Sequence, residues 1–346
     1  SSEFIGEKDI LNTWFTSSMT PQLAIQLMDK KSQEKLFPMA LRPQAHDIIT
    51  FWLFNTVFKS NMHYNKNPWK DVMISGFVTL EGEKMSKSKG NIIEPQAVLE
   101  RYGGDALRFW ASSSRLGEDL DYQEKELVAG KKFVTKIWNA SKFIFMNLKQ
   151  VTKPKKLLEI DRLFLSKLNN VVEKATTSFE NYEYASCKQG TMDFFWHDFC
   201  DNYLEIVKNR VYNGSKEEKE SAFYTLYYSL LTILKLMAPI TPFITETLYQ
   251  EYYRKEEKEK SIHLTSWPEK FDIKEKKDDD EKLDLLLGII TKVRMAKSKA
   301  QKSMKAEILL TMEKKDKEKL KDVLEDLKAV TSARKMEEGS FKVEFL

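Results

Sequence analysis

The stretch GEKMSKSKGN, residues 82–91, packs three lysines, two serines and two glycines into ten positions with no aromatic residue. Glycine near each end frees the backbone to turn or swing. Lys84, Lys87 and Lys89 supply compact, mobile positive charges of the kind that suits phosphate. One ammonium ~4 Å from a phosphate oxygen is worth about 4 kcal/mol at an effective dielectric near 20. Directed at charge that develops only in a transition state, such energy accelerates a reaction instead of merely binding a ligand. The same composition also suits a solvated, lysine-rich hairpin tip. The order of the residues and their neighbours must decide.

Upstream, LFPMALR (36–42) and DVMISGFVTL (71–80) read as strands, and HDIITFWLFNTVFKSN (46–61) as a buried helix, apolar almost throughout. Downstream, EPQAVLERYGG (94–104) opens with Pro95 and closes on glycine, the asymmetry expected of a helix. Asp105 then reads as the cap of ALRFWASSS. Strands alternating with helices predict a parallel α/β sheet over 1–121. From about 122 the text becomes helix after helix, over 123–149, 160–181, 186–212, 217–237 and 242–254. Phe195, Phe199, Tyr203 and Ile206 mark one apolar face. Pro239 and Pro242 end one helix and start the next, with Thr241 as the expected cap. QVTKPKKLLEI (150–160) is a polar link between helices. The expectation is an all-α bundle over 122–268. EKFDIKEKKDDDEK (269–282) reads as a charged linker. A small α+β appendage follows to 346, built from a helix (283–301), the strand EILLTM, a helix (314–331) and the strand FKVEFL.

Composition narrows the function classes. The chain has 346 residues, 42% hydrophobic and 31% charged, with a net charge of +4. That length allows two or three domains, and that balance permits a nucleic-acid partner through local patches without requiring one. Cys187 and Cys200 are too few for a disulfide framework and read as buried thiols in a reducing cytosol. The four histidines are scattered and no CxxC or HxxxH occurs, so no zinc or other metal site is expected. No apolar run approaches the ~20 residues of a membrane span. The chain starts at Ser1-Ser2 without an initiator methionine, directly in motif-like text, which reads as a fragment.

Lys84-Met85-Ser86-Lys87-Ser88, followed by Lys89-Gly90-Asn91, resembles the KMSKS signature loop of class I aminoacyl-tRNA synthetases. The resemblance implies ATP, with Mg2+, as the bound nucleotide. It places Lys87 on the pyrophosphate leaving group, with Lys84 and Ser86 assisting loop closure, Ser88 beside the phosphates and Met85 near adenine through its backbone. ISGFV (74–78) looks like the strand that faces adenine, at Gly76 and Phe77. NTWFTSS (12–18) and RPQAHDIITFW (42–52) are similar to the valine-specific branch of class Ia, in its archaeal type. By that likeness Trp14, Ile48 and Trp52 wall a small pocket for a valine side chain, and Asp47 lies at the aminoacyl-adenylate. From the residues alone, Asp47 equally suits a helix cap and the tryptophans a core. Gln44-Ala45 departs from the Glu-Gly of many relatives, so their contacts there are not carried over. An isoleucine-specific member stays open as an alternative.

FFWHDFCDNYLEIVKNR (194–210), MAPITPFITETLY (237–249) and SIHLTSWPE (261–269) resemble the class Ia anticodon-binding domain, which implies tRNA-Val as partner. Lys208 and Arg210 are candidates for tRNA phosphate. So are Lys292, Arg294, Lys297 and Lys299, in a run that continues to Lys302 and Lys305 without an acid. Their alternative is a solvated helix face. No histidine sits in a HIGH-like motif and no segment reads as an editing domain. The expectation is therefore the second half of a Rossmann-like catalytic domain, then an anticodon-binding bundle and the α+β appendage, from a monomeric cytoplasmic enzyme. Alone, it is expected not to activate valine. A non-catalytic tRNA-binding fragment, or a subunit that needs the other half, stays open.

Overall fold

Contacts in the computed structural model, which describes residues 4–148 and 151–346, divide the chain into two units: 1–94 with 113–123, and 95–112 with 124–346. The Ser1-Ser2 start, residue 149 of the helix expected over 123–149 and residue 150 of the polar link lie outside the described residues.

The first unit opens with three short helices, α1 (Thr13–Ser17), α2 (Thr20–Gln26) and α3 (Lys30–Leu36). Strand β1 (Met39–Ala45) then pairs in parallel with β2 (Trp69–Ser75), in register from Met39 opposite Trp69 to Ala45 opposite Ser75. Parallel pairing needs a crossover, and residues 46–64 provide it. They form a tight turn (His46–Ile48), a widened π turn (Ile49–Leu53) and helix α4 (Phe54–Tyr64). This segment is not the buried helix its apolar content predicts. Trp52, Thr56 and Ser60 point inward, while Phe51, Phe54, Phe58 and Met62 form an exposed stripe. The inward face is filled by one large ring and two small hydroxyl residues, which leaves the other large side chains outside.

After β2 the chain forms a hairpin of β3 (Val78–Leu80) and β4 (Glu83–Lys84). Glu81 and Gly82 both take positive φ in its turn, 54° and 78°, as a tight two-residue hairpin requires. β5 (Leu120–Asp121) pairs with β3 in parallel.

The second unit gathers α5 (Pro95–Tyr102) and α6 (Gly104–Ala111) with the helices α7 (Glu124–Asn147), α8 (Glu159–Glu180), α9 (Tyr184–Asp193), α10 (Leu204–Asn213), α11 (Lys216–Met237), α12 (Pro242–Tyr252) and the short α13 (Arg254–Glu257). A π stretch (Phe194–Tyr203) joins α9 to α10. The face read from Phe195, Phe199, Tyr203 and Ile206 is fully buried, and Tyr203 stacks on Phe164 at 4.0 Å. One capping expectation is corrected and one is met in position only. α6 starts at Gly104, so Asp105 lies inside it. Its carboxylate instead accepts the backbone N–H groups of Phe243 and Ile244, at 3.1 and 2.7 Å, and so caps α12. Thr241 is the N-cap residue of α12, as expected, but its side chain makes no cap bond. Arg108 donates to the carbonyls of Ile240 and Pro239, holding the same turn.

The charged stretch 269–282 is not a loose linker. Phe271 and Ile273 pack on the bundle core, the Phe271 N–H donates to Asn169, and the Asp279 carboxylate is buried against Arg162 at 2.5 Å. Helix α14 (Asp279–Lys299) leads to a three-stranded sheet of order β7-β6-β8, formed by β6 (Ile308–Met312), β7 (Ala333–Glu338) and β8 (Lys342–Phe345). Between β6 and β7 the helix expected over 314–331 breaks into α15 (Lys314–Lys319) and α16 (Leu324–Thr331). The sheet's core is continuous with Ile160, Leu163 and Ile206 of the bundle.

Candidate nucleotide and tRNA sites

Residues 82–91 form a stapled loop on the first unit. Ser86 caps the single turn Lys87–Lys89 by accepting the Lys89 N–H at 3.3 Å, and Gly90 ends it at φ 69°. Asn91 closes the loop, accepting from the Ser86 N–H at 2.9 Å and donating to the Lys84 carbonyl at 3.3 Å. Asp121 fixes the hairpin below it, accepting from Thr79 Oγ1 at 2.9 Å and from the Gly82 N–H at 3.1 Å. Those bonds lower its pKa, the Gly82 N–H contributing most. Sequence reading missed both carboxamide and carboxylate. Asn91 was visible as part of the motif, but Asp121 acts from 39 residues beyond Gly82, where local pattern carries no signal.

The three lysines differ in what they hold. Lys89 pairs with Glu83 at 3.0 Å. Lys84 lies 3.8 Å from the Asp47 carboxylate and 3.7 Å over the Phe77 ring. Lys87 is exposed and, among the described residues, has no acidic partner. Asp47, Lys84 and Phe77, picked separately from sequence, are thus brought together, with His46 edge-on to Phe77 at 4.3 Å. Ser88 contacts Ser86 through the hydroxyls at 3.2 Å, and Met85 is half-buried.

Gly76 has a local structural cause. A Cβ there would lie 2.4 Å from the Glu118 carbonyl and 2.5 Å from Asp119 Oδ1, while Asp119 accepts the Phe77 N–H at 2.7 Å. The glycine is required by two backbone segments passing close together.

The three residues of the expected side-chain pocket have different surroundings. Trp14 is 41% exposed and stacks on Phe51 at 6.5 Å. Trp52 is buried, packs on Trp69 at 5.4 Å and donates through Nε1 to the Ser17 carbonyl at 3.3 Å. The Arg42 guanidinium covers Trp52 at 4.0 Å, and burial lowers its pKa. Ile48 is half-buried in the turn that opens the crossover. Nearby chemistry is unspent: the buried side-chain atoms of Gln22, Gln44 Oε1 and Arg42 Nε have no hydrogen-bond partner among the described residues.

On the second unit, two of the expected phosphate contacts are corrected. Arg210 is 4% exposed and forms a double hydrogen bond at 2.8 Å with Asp161, itself fully buried. Asp161 also accepts from Tyr203 at 2.6 Å and from Ser221, and Arg210 Nε reaches Asp326 at 2.8 Å. Lys297 is 1% exposed and donates to the carbonyls of Met304 and Thr331, both at 2.7 Å. Reaching a phosphate would cost either side chain its buried partners. Arg294 is half-buried, bonded to Asn202 and to the Asp201 carbonyl at 2.9 Å. Lys292 and Lys299 remain exposed, Lys292 5.3 Å over Phe341, and Lys208 is paired with Glu205. Among the described residues no helix is long and apolar enough to cross a membrane, and no three His, Cys, Asp or Glu side chains converge as metal ligands. Both cysteines are buried and free.

Residues 2–123 match the family model described as tRNA synthetases class I (I, L, M and V), and residues 161–313 match the anticodon-binding domain of tRNA ligase. Valine--tRNA ligases are similar along nearly the whole chain. That of Rickettsia felis is 42% identical, covering 95% of this chain and 40% of its own length. That of Wolbachia pipientis wMel is 42% identical, covering 97% and 40%. The Orientia tsutsugamushi enzyme is 40% identical, covering 96% and 42%. Among solved structures, LeuRS of Agrobacterium radiobacter K84, in a ternary complex with tRNA and LeuAMS, superposes with a TM-score of 0.58 at 17% identity, over 74% of this chain and 32% of that one; at that identity the likeness speaks for the fold alone. The chain spans about two-fifths of the length of these curated relatives, and it belongs to the class I tRNA synthetases, in the group whose members are valine--tRNA ligases.

Proposed function

We propose that this chain carries the nucleotide-gripping half of a Rossmann-like catalytic domain and the tRNA-holding bundle of an enzyme that joins valine to tRNA-Val. In the first step the valine carboxylate attacks the α-phosphorus of ATP, the bond to the β-phosphate oxygen breaks, and pyrophosphate leaves. In the second, the terminal ribose hydroxyl of the tRNA attacks the acyl carbon and AMP leaves. The observation that carries the reading is Lys87, an exposed ammonium with no acidic partner among the described residues, on a turn capped by Ser86 and closed by Gly90. A free cation on such a turn is available to the leaving pyrophosphate and is worth most where charge is forming.

Asp47 and Lys84 form an exposed pair, of the kind worth under about 1 kcal/mol. It is therefore cheap to exchange: the α-ammonium of valine takes Asp47, and Lys84 turns to the polyphosphate. Phe77 and the half-buried Met85 flank the adenine. Trp14, Ile48 and Trp52 bound the amino-acid side chain, with the Gln22 amide and the Gln44 amide oxygen, unpartnered among the described residues, beside them. Mg2+ adds to the positive charge around the phosphates. The parent enzyme is proposed to be a cytoplasmic monomer.

The test is ATP–pyrophosphate exchange by the enzyme of full length, with valine and with isoleucine. Exchange is expected with valine in strong preference. Equal exchange with either amino acid would sink the assignment of the side-chain pocket, and loss of neither activity on Lys87→Ala would sink the role of the loop.

A further inference from the structure

Trp52 lies in the π turn Ile49–Leu53, a widened helical turn of the kind that recurs at functional sites. Helix α1 meets the same segment: Trp52 Nε1 donates to the Ser17 carbonyl, and Trp14 stacks on the neighbouring Phe51. Trp69 packs against the Trp52 ring at an interplanar angle of 35°. One face of the ring is covered from β1 by Arg42, whose guanidinium carbon stands 4.0 Å from the ring centroid. Trp52 is 7% exposed. Three neighbours therefore hold the indole and leave little of it open.

An arginine has five N–H donors to spend on carboxylates or carbonyls. Arg42 spends few of them. Among the described residues it has no acidic partner, its buried Nε makes no hydrogen bond, and burial acts against its charge. The indole is the contact that orients it. A flat guanidinium matches an aromatic face, where a lysine would act as a point charge. The fold thus bears a partly desolvated cation for the sake of its plane. Valine and isoleucine differ by one methylene, which a hydrophobic pocket turns into about 10–200-fold of discrimination. That margin is kept only if the walls do not yield. A tilt of Trp52 must displace the Arg42 plane or stretch the bond to Ser17.

We propose that Arg42 is a positioning residue for amino-acid selection: its guanidinium plane backs the Trp52 ring and so fixes the depth of the side-chain pocket. Arg42 acts through Trp52 and touches no substrate. The inference rests on the reading of Trp14, Ile48 and Trp52 as that pocket, and adds to it a residue that the sequence did not single out.

The test is ATP–pyrophosphate exchange by the full-length enzyme and its Arg42 variants, with kcat and KM taken separately for valine, isoleucine and ATP. Arg42→Ala should narrow the valine-over-isoleucine ratio of kcat/KM by about 10-fold or more. The change should come from a higher KM for valine and a lower one for isoleucine, with the KM for ATP unmoved. Arg42→Lys keeps the charge without the plane and should narrow the ratio about as far. A wild-type ratio in Arg42→Lys overturns the role of the plane. A ratio within about twofold of wild type in Arg42→Ala overturns the inference and leaves the pocket standing. So does a lower kcat with both amino acids at an unchanged ratio, the mark of a merely structural side chain. A wild-type enzyme without preference overturns the pocket and the inference together. Melting curves verify folding; where Arg42→Ala is unfolded at the assay temperature, Arg42→Met, which keeps the buried stem, takes its place with the same expected ratio.

Discussion

The loop at 82–91 and the interior of the helical unit use the same residue types for opposite ends. In the loop, Lys84 and Lys87 lie in water, one loosely paired and the other without an acidic partner among the described residues. In the bundle, Arg210 and Lys297 are buried and fully engaged with chain atoms. A cation left available is poised for a ligand, whereas a cation engaged on its own chain is architecture. Burial and partners separate the two cases where the sequence shows only lysine and arginine.

Asp161→Ala puts the contrast to its hardest test. It removes two of the bonds on the buried Arg210 guanidinium and leaves it only Asp326, and unfolding in urea should show a loss of about 3–5 kcal/mol; a loss below about 1 kcal/mol would mean the buried network is no more structural than the loop. Lys87→Ala should do the reverse. Pyrophosphate exchange by the full-length enzyme is expected to fall about 10²–10³-fold with no change in melting temperature.

Next comes pH. Burial, with repulsion from Asp161, pushes the Asp326 carboxyl from 3.8 up to about 6, against the opposing pull of Arg210. Between those values the folded chain holds a proton that the unfolded chain releases. Stability should therefore fall as pH rises through that window, by about 2–3 kcal/mol, and level off above it. In Asp326→Asn that slope should disappear from denaturation curves taken at stepped pH. Gly76→Ala drives a methyl against the Glu118 backbone and should cost about 1–3 kcal/mol of stability in the first unit. Asp47→Asn, which breaks only the exposed pair with Lys84, should change stability by less than about 1 kcal/mol.

Long periodic helices were legible because their apolar faces repeat over many turns: the expected 160–181 and 217–237 appear as Glu159–Glu180 and Lys216–Met237. The loop was legible because order, not composition, carries its meaning. What stayed hidden depends on contacts distant in sequence. Asp105 caps a helix 138 residues away, so a nearby cap was the wrong inference. The 269–282 stretch looked like a linker because its charges are dense, yet Arg162 and Glu159 receive them. At the candidate site, Asp47 and Lys84 were picked from different motifs, and no spacing rule announces that they meet. Arg210 and Lys297 were misread because charge alone does not report burial.

The bonds from Asp105 and Arg108 to the turn before α12 have a practical consequence for anyone dividing this polypeptide. The chain passes from one unit to the other at three peptide bonds, after residues 94, 112 and 123. A gene cut near 121 would therefore send α5 and α6 out with the wrong piece. It would strip α12 of its cap and expose the faces of Phe109 and Trp110, buried in the intact protein. A truncated bundle that keeps these two helices, rejoined by a short artificial tether to residue 124, is the version expected to express in soluble form.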